Sequence, residues 1–148
     1  MLHFDGDQDF PRPLAEVFAK LGDASFLVSC IPGVESVKES GPDQAICILR
    51  PGFSFVRGTL EVTLHVLERV AEKSVRVLAH AKGIGSGNDV EALLNLEPKD
   101  AGTHIRWTAE AKNFTGLLRA VPSGLIKGAA QKVIADVWAE VGKKLATA

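Results

Sequence analysis

Histidine side chains are the first candidates in this sequence for metal binding or for acid and base catalysis. His65, His80 and His104 each fall at a polar position of an alternating run of apolar and polar residues. Such alternation directs successive side chains to opposite faces of a sheet, so the histidines belong to the solvated face. His80 is predicted to lie opposite Glu91 as an ordinary surface pair. We therefore expect no metal site from these histidines.

An acidic row near the N-terminus has the spacing of a calcium-binding loop. Asp5, Asp7, Asp9 and Glu16 match the first, third, fifth and twelfth positions of an EF-hand loop. The sixth position, however, is Phe10, where the loop requires glycine for its sharp turn. Prolines also interrupt the segment, and no helical pattern precedes it. Calcium binding is therefore not expected.

Two further features that could carry chemistry have simpler structural explanations. The glycine-rich segment 83–87 resembles a phosphate-binding loop, but it joins two strand patterns and opens no helix whose N-terminus could hold an anion. Cys30 and Cys47 lie far apart, and neither has a basic neighbour in sequence that would activate a thiolate. We expect a hairpin and two packing residues here, with no cofactor.

The composition predicts one globular domain over residues 1–148. Of the 148 residues, 46% are hydrophobic and 24% are charged, and a chain of this length buries roughly 70% of its unfolded surface. Lys and Arg number 17 against 18 Asp and Glu, a formal charge of −1, so no basic excess attracts nucleic acid. The isolated cysteines, and the absence of a signal sequence or of about 20 uninterrupted apolar residues, predict a cytoplasmic protein.

Two short helices are predicted to follow a first strand over residues 2–10. Apolar residues recur at helical spacing over residues 14–21, and a glycine ends the pattern. Asp23 is a suitable N-cap for a second short helix, and the dipeptide Pro32-Gly33 terminates it.

The segment from residue 34 to residue 111 is predicted to form six consecutive strands, because its apolar period is two and turn residues interrupt it. The clearest strand covers residues 59–66. Its covered face would carry Leu60, Val62, Leu64 and Val66. One apolar and one polar face favour an antiparallel sheet that is covered on one side only.

A long C-terminal helix is predicted beyond Gly116, where the helical period returns. Its apolar stripe consists of Leu118, Leu125, Ala129, Val133, Val137 and Val141, and Ile126, Ile134 and Trp138 widen it. The order of one strand, two short helices, six strands and a long helix predicts an α+β protein with a seven-stranded curved antiparallel sheet.

Three segments carry a resemblance to a known family. Segment Cys30–Ser36 has the sequence CIPGVES, and segment Leu125–Lys132 has the sequence LIKGAAQK. Between them lies a hairpin pattern made of Glu97-Pro98, Gly102-Thr103 and Ile105-Arg106-Trp107. Together these segments resemble the G-subunit family of carbon monoxide dehydrogenase, a branch of the Bet v 1-like or START-like helix-grip (SRPBCC) superfamily. The correspondence runs over nearly the whole chain.

The resemblance implies a helix-grip fold that binds lipids, quinones or other apolar ligands and needs no catalytic residue. Family members are linked to molybdenum-containing carbon monoxide dehydrogenases, so the implied partner is a molybdenum hydroxylase complex. Some members carry a C-terminal membrane tail, whereas this chain stops at Ala148. We therefore expect membrane contact to be peripheral at most.

Small side chains indicate where an apolar ligand would lie. If glycine turns join consecutive hairpins, Ala79, Ala92 and Ala109 share one row of the covered face. The helix opposite carries Gly124 and Gly128, and two thin surfaces about 10 Å apart leave a cavity unless sheet curvature closes it. The predicted ligand-binding residues are Phe18, Phe26, Ile31, Phe53, Phe55, Leu60, Val62, Leu64, Val77, Ala79, Ala81, Ala92, Leu94, Trp107, Ala109, Leu118, Val121, Leu125, Ala129 and Val133.

The covered faces of the long strands favour a binding protein over an enzyme. Apart from Trp107 they carry aliphatic side chains and alanines, without a histidine, carboxylate or lysine to act as general acid or base. The alternative is an enzyme of the polyketide cyclase or dehydratase type, which would need polar groups inside the pocket. The candidates near its mouth are Arg50, Arg57, Glu61 and Arg119.

A third possibility depends on the segment 50–57. Phe53 and Phe55 are either strand residues packed under the helix or part of an exposed rim flanked by arginines, where contact energy concentrates. An exposed rim together with a filled cavity would favour a co-chaperone-like module that binds proteins.

Overall fold

Residues 1–50, 52 and 58–146 are described by the structure, a computed structural model. Within them, seven strands form one antiparallel sheet in the order β1-β7-β6-β5-β4-β3-β2. The strands are β1 (Leu2–Phe10), β2 (Val34–Ser40), β3 (Gln44–Leu49), β4 (Leu60–Val70), β5 (Ser74–Gly83), β6 (Ser86–Lys99) and β7 (Gly102–Gly116). The helices are α1 (Leu14–Leu21), α2 (Ala24–Ser29) and α3 (Ser123–Ala146), and a 3₁₀ turn spans Leu117–Ala120. This arrangement confirms the predicted α+β helix-grip fold.

The short helices α1 and α2 cover one end of the sheet. Asp23 is the N-cap of α2, and its carboxylate accepts a hydrogen bond from the backbone N–H of Ser25 at 2.9 Å. Val17 and Leu21 of α1 are fully buried in the core. The hydroxyl of Thr103 donates to the backbone carbonyl of Arg12 at 2.8 Å, which ties the start of β7 to the segment before α1.

The register of β5 against β6 differs from the prediction by two residues. Ala79 lies opposite Val90 and not opposite Ala92. Ala92 instead lies between Val77 of β5 and Ala109 of β7, of which only the second contact was predicted. The three alanines therefore do not share one row, although all three remain on the covered face.

The cause of this shift is the turn between β5 and β6. Ile84 and Gly85 form a two-residue connection, and both have positive φ, at 57° and 68°. A type I′ hairpin turn requires positive φ at both positions. Isoleucine is a rare residue in that conformation, so the sequence favours a turn at the later glycines.

Candidate functional site

Aromatic rings fill one half of the space between the sheet and α3. The ring centroid of Trp138 lies 6.1 Å from that of Phe10 and 6.1 Å from that of Trp107. The indole of Trp107 rests on β1 at Gly6, where an added Cβ would come within 2.8 Å of Cζ2 of Trp107. Val141 of α3 is buried in the same core, at 1% exposure. This half is therefore closed.

The other half is lined by small side chains with incomplete cover. Ala79, Ala81, Val90 and Ala92 lie on the covered face, yet each is partly exposed. Further along the same face, Leu94 is buried. The partial exposure therefore marks the part of the sheet that the helices cover least completely. We call these four residues, Ala79, Ala81, Val90 and Ala92, the small-residue surface.

Helix α3 packs the predicted residues Ile134, Val137, Trp138 and Val141 in the core, whereas the predicted Leu125, Ala129 and Val133 are not part of it. Its residues in the core are Ala130, Ile134, Val137, Trp138, Val141 and Leu145. Gly128 lies two residues before Ala130, a rotation of about 200°, and so on the opposite side of the helix. Gly124 and Gly128 are exposed, with no atom near the position of an added Cβ. The glycines therefore do not thin the surface that faces the sheet.

The predicted ligand-binding residues fall into four groups. Buried on the covered face are Val62, Leu64, Val77, Leu94, Trp107 and Ala109. Partly exposed and packed against the core are Phe18, Phe26, Ile31, Leu60, Ala79, Ala81 and Ala92. In the 3₁₀ turn and the N-terminal half of α3, Leu118, Val121, Ala129 and Val133 are partly exposed, and Leu125 is 54% exposed. Phe53 and Phe55 lie outside the described residues.

Two amide side chains on the covered face are absent from the sequence prediction. Asn88 lies opposite Ala81, and Gln8 lies opposite Ile105, so both share the face of the small-residue surface. Asn88 continues the alternation of Val90 and Ala92, a signal that could have placed it on this face, and the extra residue of the neighbouring β-bulge lies in β7. Both groups form hydrogen bonds without titrating, so they add polarity to the face but no general acid or base.

One buried hydrogen-bond donor on this face is unpaired. Trp107 is 8% exposed, and within the described part of the chain its indole Nε1 has no hydrogen-bond partner. Leaving such a donor buried and unsatisfied costs about 1 to 3 kcal/mol. Buried donors in native proteins are nearly always paired, so an unpaired one calls for a structural reason. A ligand site beside the incompletely covered small-residue surface would provide the missing acceptor.

Two of the four polar side chains considered for catalysis, Arg50 and Glu61, form ion pairs away from the covered face of the sheet. Nε of Arg50 lies 3.0 Å from a carboxylate oxygen of Glu35. Nζ of Lys38 lies 2.7 Å from Glu61, and this hydrogen bond lowers the pKa of the Glu61 carboxyl. Arg119 is exposed in the 3₁₀ turn, and Arg57 lies outside the described residues. Arg50 and Glu61 therefore do not converge on the covered face.

Two histidines of the outer face, His80 and His104, form pairs with aspartates. His80 lies opposite Asp89 and forms a hydrogen bond with it. This corrects the predicted pairing with Glu91, and it follows from the two-residue difference in the register of β5 against β6. Nδ1 of His104 lies 2.6 Å from Oδ1 of Asp9, and this hydrogen bond lowers the pKa of Asp9. Among residues 1–50, 52 and 58–146, no cluster of three His, Cys, Asp or Glu side chains is arranged to hold a metal ion.

The two thiols are packing groups. Cys30 and Cys47 are both fully buried and unpaired with each other. Burial raises the pKa of both thiols, because the charged thiolate loses its hydration. Both sulfurs are therefore protonated at neutral pH, which is the opposite of what a nucleophile requires.

A curved antiparallel sheet that grips a long C-terminal helix over an apolar face defines a helix-grip protein of the START-like and Bet v 1-like class. Within this class, the chain belongs to the family of the carbon monoxide dehydrogenase G subunit (CoxG), whose match covers residues 6–146. The sequence resemblance to that family is thereby confirmed.

Solved structures of similar proteins have the same fold. A conserved protein from Geobacillus kaustophilus is 25% identical, with a TM-score of 0.85 over 99% of this chain and 96% of that one. A START superfamily protein from Mycobacterium smegmatis is 9% identical, with a TM-score of 0.68 over 98% and 97%. Ara h 8.0201 is 14% identical, with a TM-score of 0.63 over 99% of both chains. No curated protein matched the chain.

Helix length and hydropathy also bear on membrane contact. In the part of the chain that the structure describes, no helix combines the length and apolar character needed to span a bilayer.

Proposed function

We propose that this protein binds an apolar small molecule of quinone-like or lipid-like character between the small-residue surface and the N-terminal half of α3. The observation that carries this proposal is the partial exposure of Ala79, Ala81 and Ala92, although their cross-strand neighbours Val62, Leu64, Val77 and Ala109 are buried. Apolar surface exposed to water costs free energy, which a ligand that covers it recovers.

The available surface supports moderate affinity. An apolar ligand that buries about 300 Å² gains roughly 7 kcal/mol. Association costs several kcal/mol of this, so apolar contact alone gives an affinity in about the micromolar range. Such an affinity suits a carrier that must release its ligand.

An accessory role, without catalysis, is the second part of the proposal. The family name refers to a component of carbon monoxide dehydrogenase, and on that basis we propose that the protein serves a molybdenum hydroxylase complex in the cytoplasm. The neutral amide of Asn88, which lies opposite Ala81, is compatible with holding a ligand, since binding needs no titrating group.

The proposal is tested by native mass spectrometry of the purified protein after incubation with decylubiquinone, an apolar quinone with a short tail. We expect one quinone per chain, released when the protein is unfolded in organic solvent. A spectrum that contains only the unliganded chain, with quinone present at a hundredfold excess, would overturn the proposed function.

A further inference from the structure

We infer that the indole N–H of Trp107 donates a hydrogen bond to an oxygen atom of the bound ligand. The pocket would then select apolar molecules that carry a carbonyl or similar acceptor over pure hydrocarbons of the same shape. This inference rests on the proposed function and adds to it the chemical class of the ligand and the residue that recognises it.

The position of Trp107 relative to the small-residue surface is the first argument. Trp107 lies opposite Leu94 on the covered face, and the next row along the same strands pairs Ala92 with Ala109. Successive rows on one face of a strand lie about 7 Å apart. A ligand that covers Ala92 and Ala109 and extends by one row along β7 and towards β1, where Nε1 lies near Gly6, therefore reaches the indole.

The chemistry of the indole is the second argument. Nε1 of Trp107 is a donor only, and no acceptor in the described residues reaches it. The edge of the ring rests on Gly6, which has no side chain to offer an acceptor. Gln8, the next residue of β1 on this face, does not bond to Nε1 either. An oxygen atom supplied by a ligand would satisfy the donor.

Access to the donor depends on Trp138. Nε1 of Trp107 is shielded from solvent in the unliganded arrangement, so a side chain must move before a ligand can reach it. The ring of Trp138 lies 6.1 Å from that of Trp107, tilted by 35°, and Trp138 itself is partly exposed. Its displacement towards solvent would open the end of the small-residue surface to the indole N–H.

The test uses two probes of the same shape, duroquinone and durene, which are a tetramethylbenzoquinone and the corresponding tetramethylbenzene. Trp107→Phe keeps an aromatic ring and removes the donor. We expect this variant to weaken duroquinone binding by about fivefold to tenfold more than it changes durene binding, which reports the loss of ring contact alone. The matched control Trp138→Phe should change the affinity for both probes by the same factor.

A second measurement does not depend on any variant. Duroquinone should shift the indole ¹H–¹⁵N resonance of Trp107 downfield in the wild-type protein, and durene should not. If Trp107→Phe weakens both probes equally, or if the indole resonance does not respond to duroquinone, the inference is overturned while the proposed function stands. If neither probe nor decylubiquinone binds to the wild type, the proposed function fails as well.

Discussion

Replacement of Ala92 by tryptophan is expected to abolish ligand binding while the protein remains folded. Ala92 lies in the middle of the small-residue surface, between Val77 and Ala109, and is partly exposed. An indole at this position would occupy the space assigned to the ligand. On the proposal that this space is open to a ligand, the cost of overpacking should stay at or below about 1 to 3 kcal/mol. Titration with decylubiquinone should show a loss of affinity of at least about a hundredfold.

The matched control for this variant is Leu93→Trp. Leu93 is the next residue of β6, and its side chain therefore points to the other face of the sheet. The control should bind decylubiquinone as the wild type does. Undiminished affinity in Ala92→Trp would place the pocket elsewhere. An unfolded Ala92→Trp beside a folded control would show that the surface is tightly packed and not open.

The second large effect is expected at Gly116, which joins the sheet to the segment that leads into α3. Gly116 has a φ of 62°, and an added Cβ would collide with the backbone oxygen of Gly85. That oxygen also accepts a hydrogen bond from the backbone N–H of Leu117. Gly116→Ala must therefore separate the β5–β6 turn from the 3₁₀ turn. We expect the free energy of unfolding in urea to fall by about 3 kcal/mol.

The control for Gly116→Ala is the same substitution at Gly128. Gly128 is exposed within α3, and open space surrounds the position of an added Cβ. Alanine there should raise the free energy of unfolding by about 0.5 to 1 kcal/mol, because it restricts the unfolded chain and favours the helix. Equal stability of Gly116→Ala and the wild type would contradict the described junction between the turn and α3.

The fold was predictable because each element has a strong periodic pattern. Alternation at Leu60, Val62 and Leu64 specifies a strand with one covered face, and all three lie on that face in the structure. The second short helix is bounded by local signals too, since Asp23 is its N-cap and Pro32 follows its last turn. Local sequence decides these features, so they need no knowledge of the neighbouring elements.

Details of the site were less predictable because they depend on contacts between elements. The register of β5 and β6 follows from a turn that places Ile84 at positive φ, against the preference of its side chain. The stripe predicted for α3 holds at Val137 and Trp138 but not at Leu125, which is exposed, because a helical pattern alone does not determine how far along its length the helix meets the sheet. The unpaired donor of Trp107 became visible only when its surroundings were known.

The most direct test of the account is a measurement of contacts between a bound ligand and the alanine methyl groups. In protein labelled with ¹³C at alanine methyls and saturated with decylubiquinone, we predict intermolecular nuclear Overhauser effects to Ala79, Ala81 and Ala92. The exposed Ala135 and Ala139 of α3 serve as internal controls and should show none. Effects confined to those controls, or to alanines outside the small-residue surface, would contradict the account.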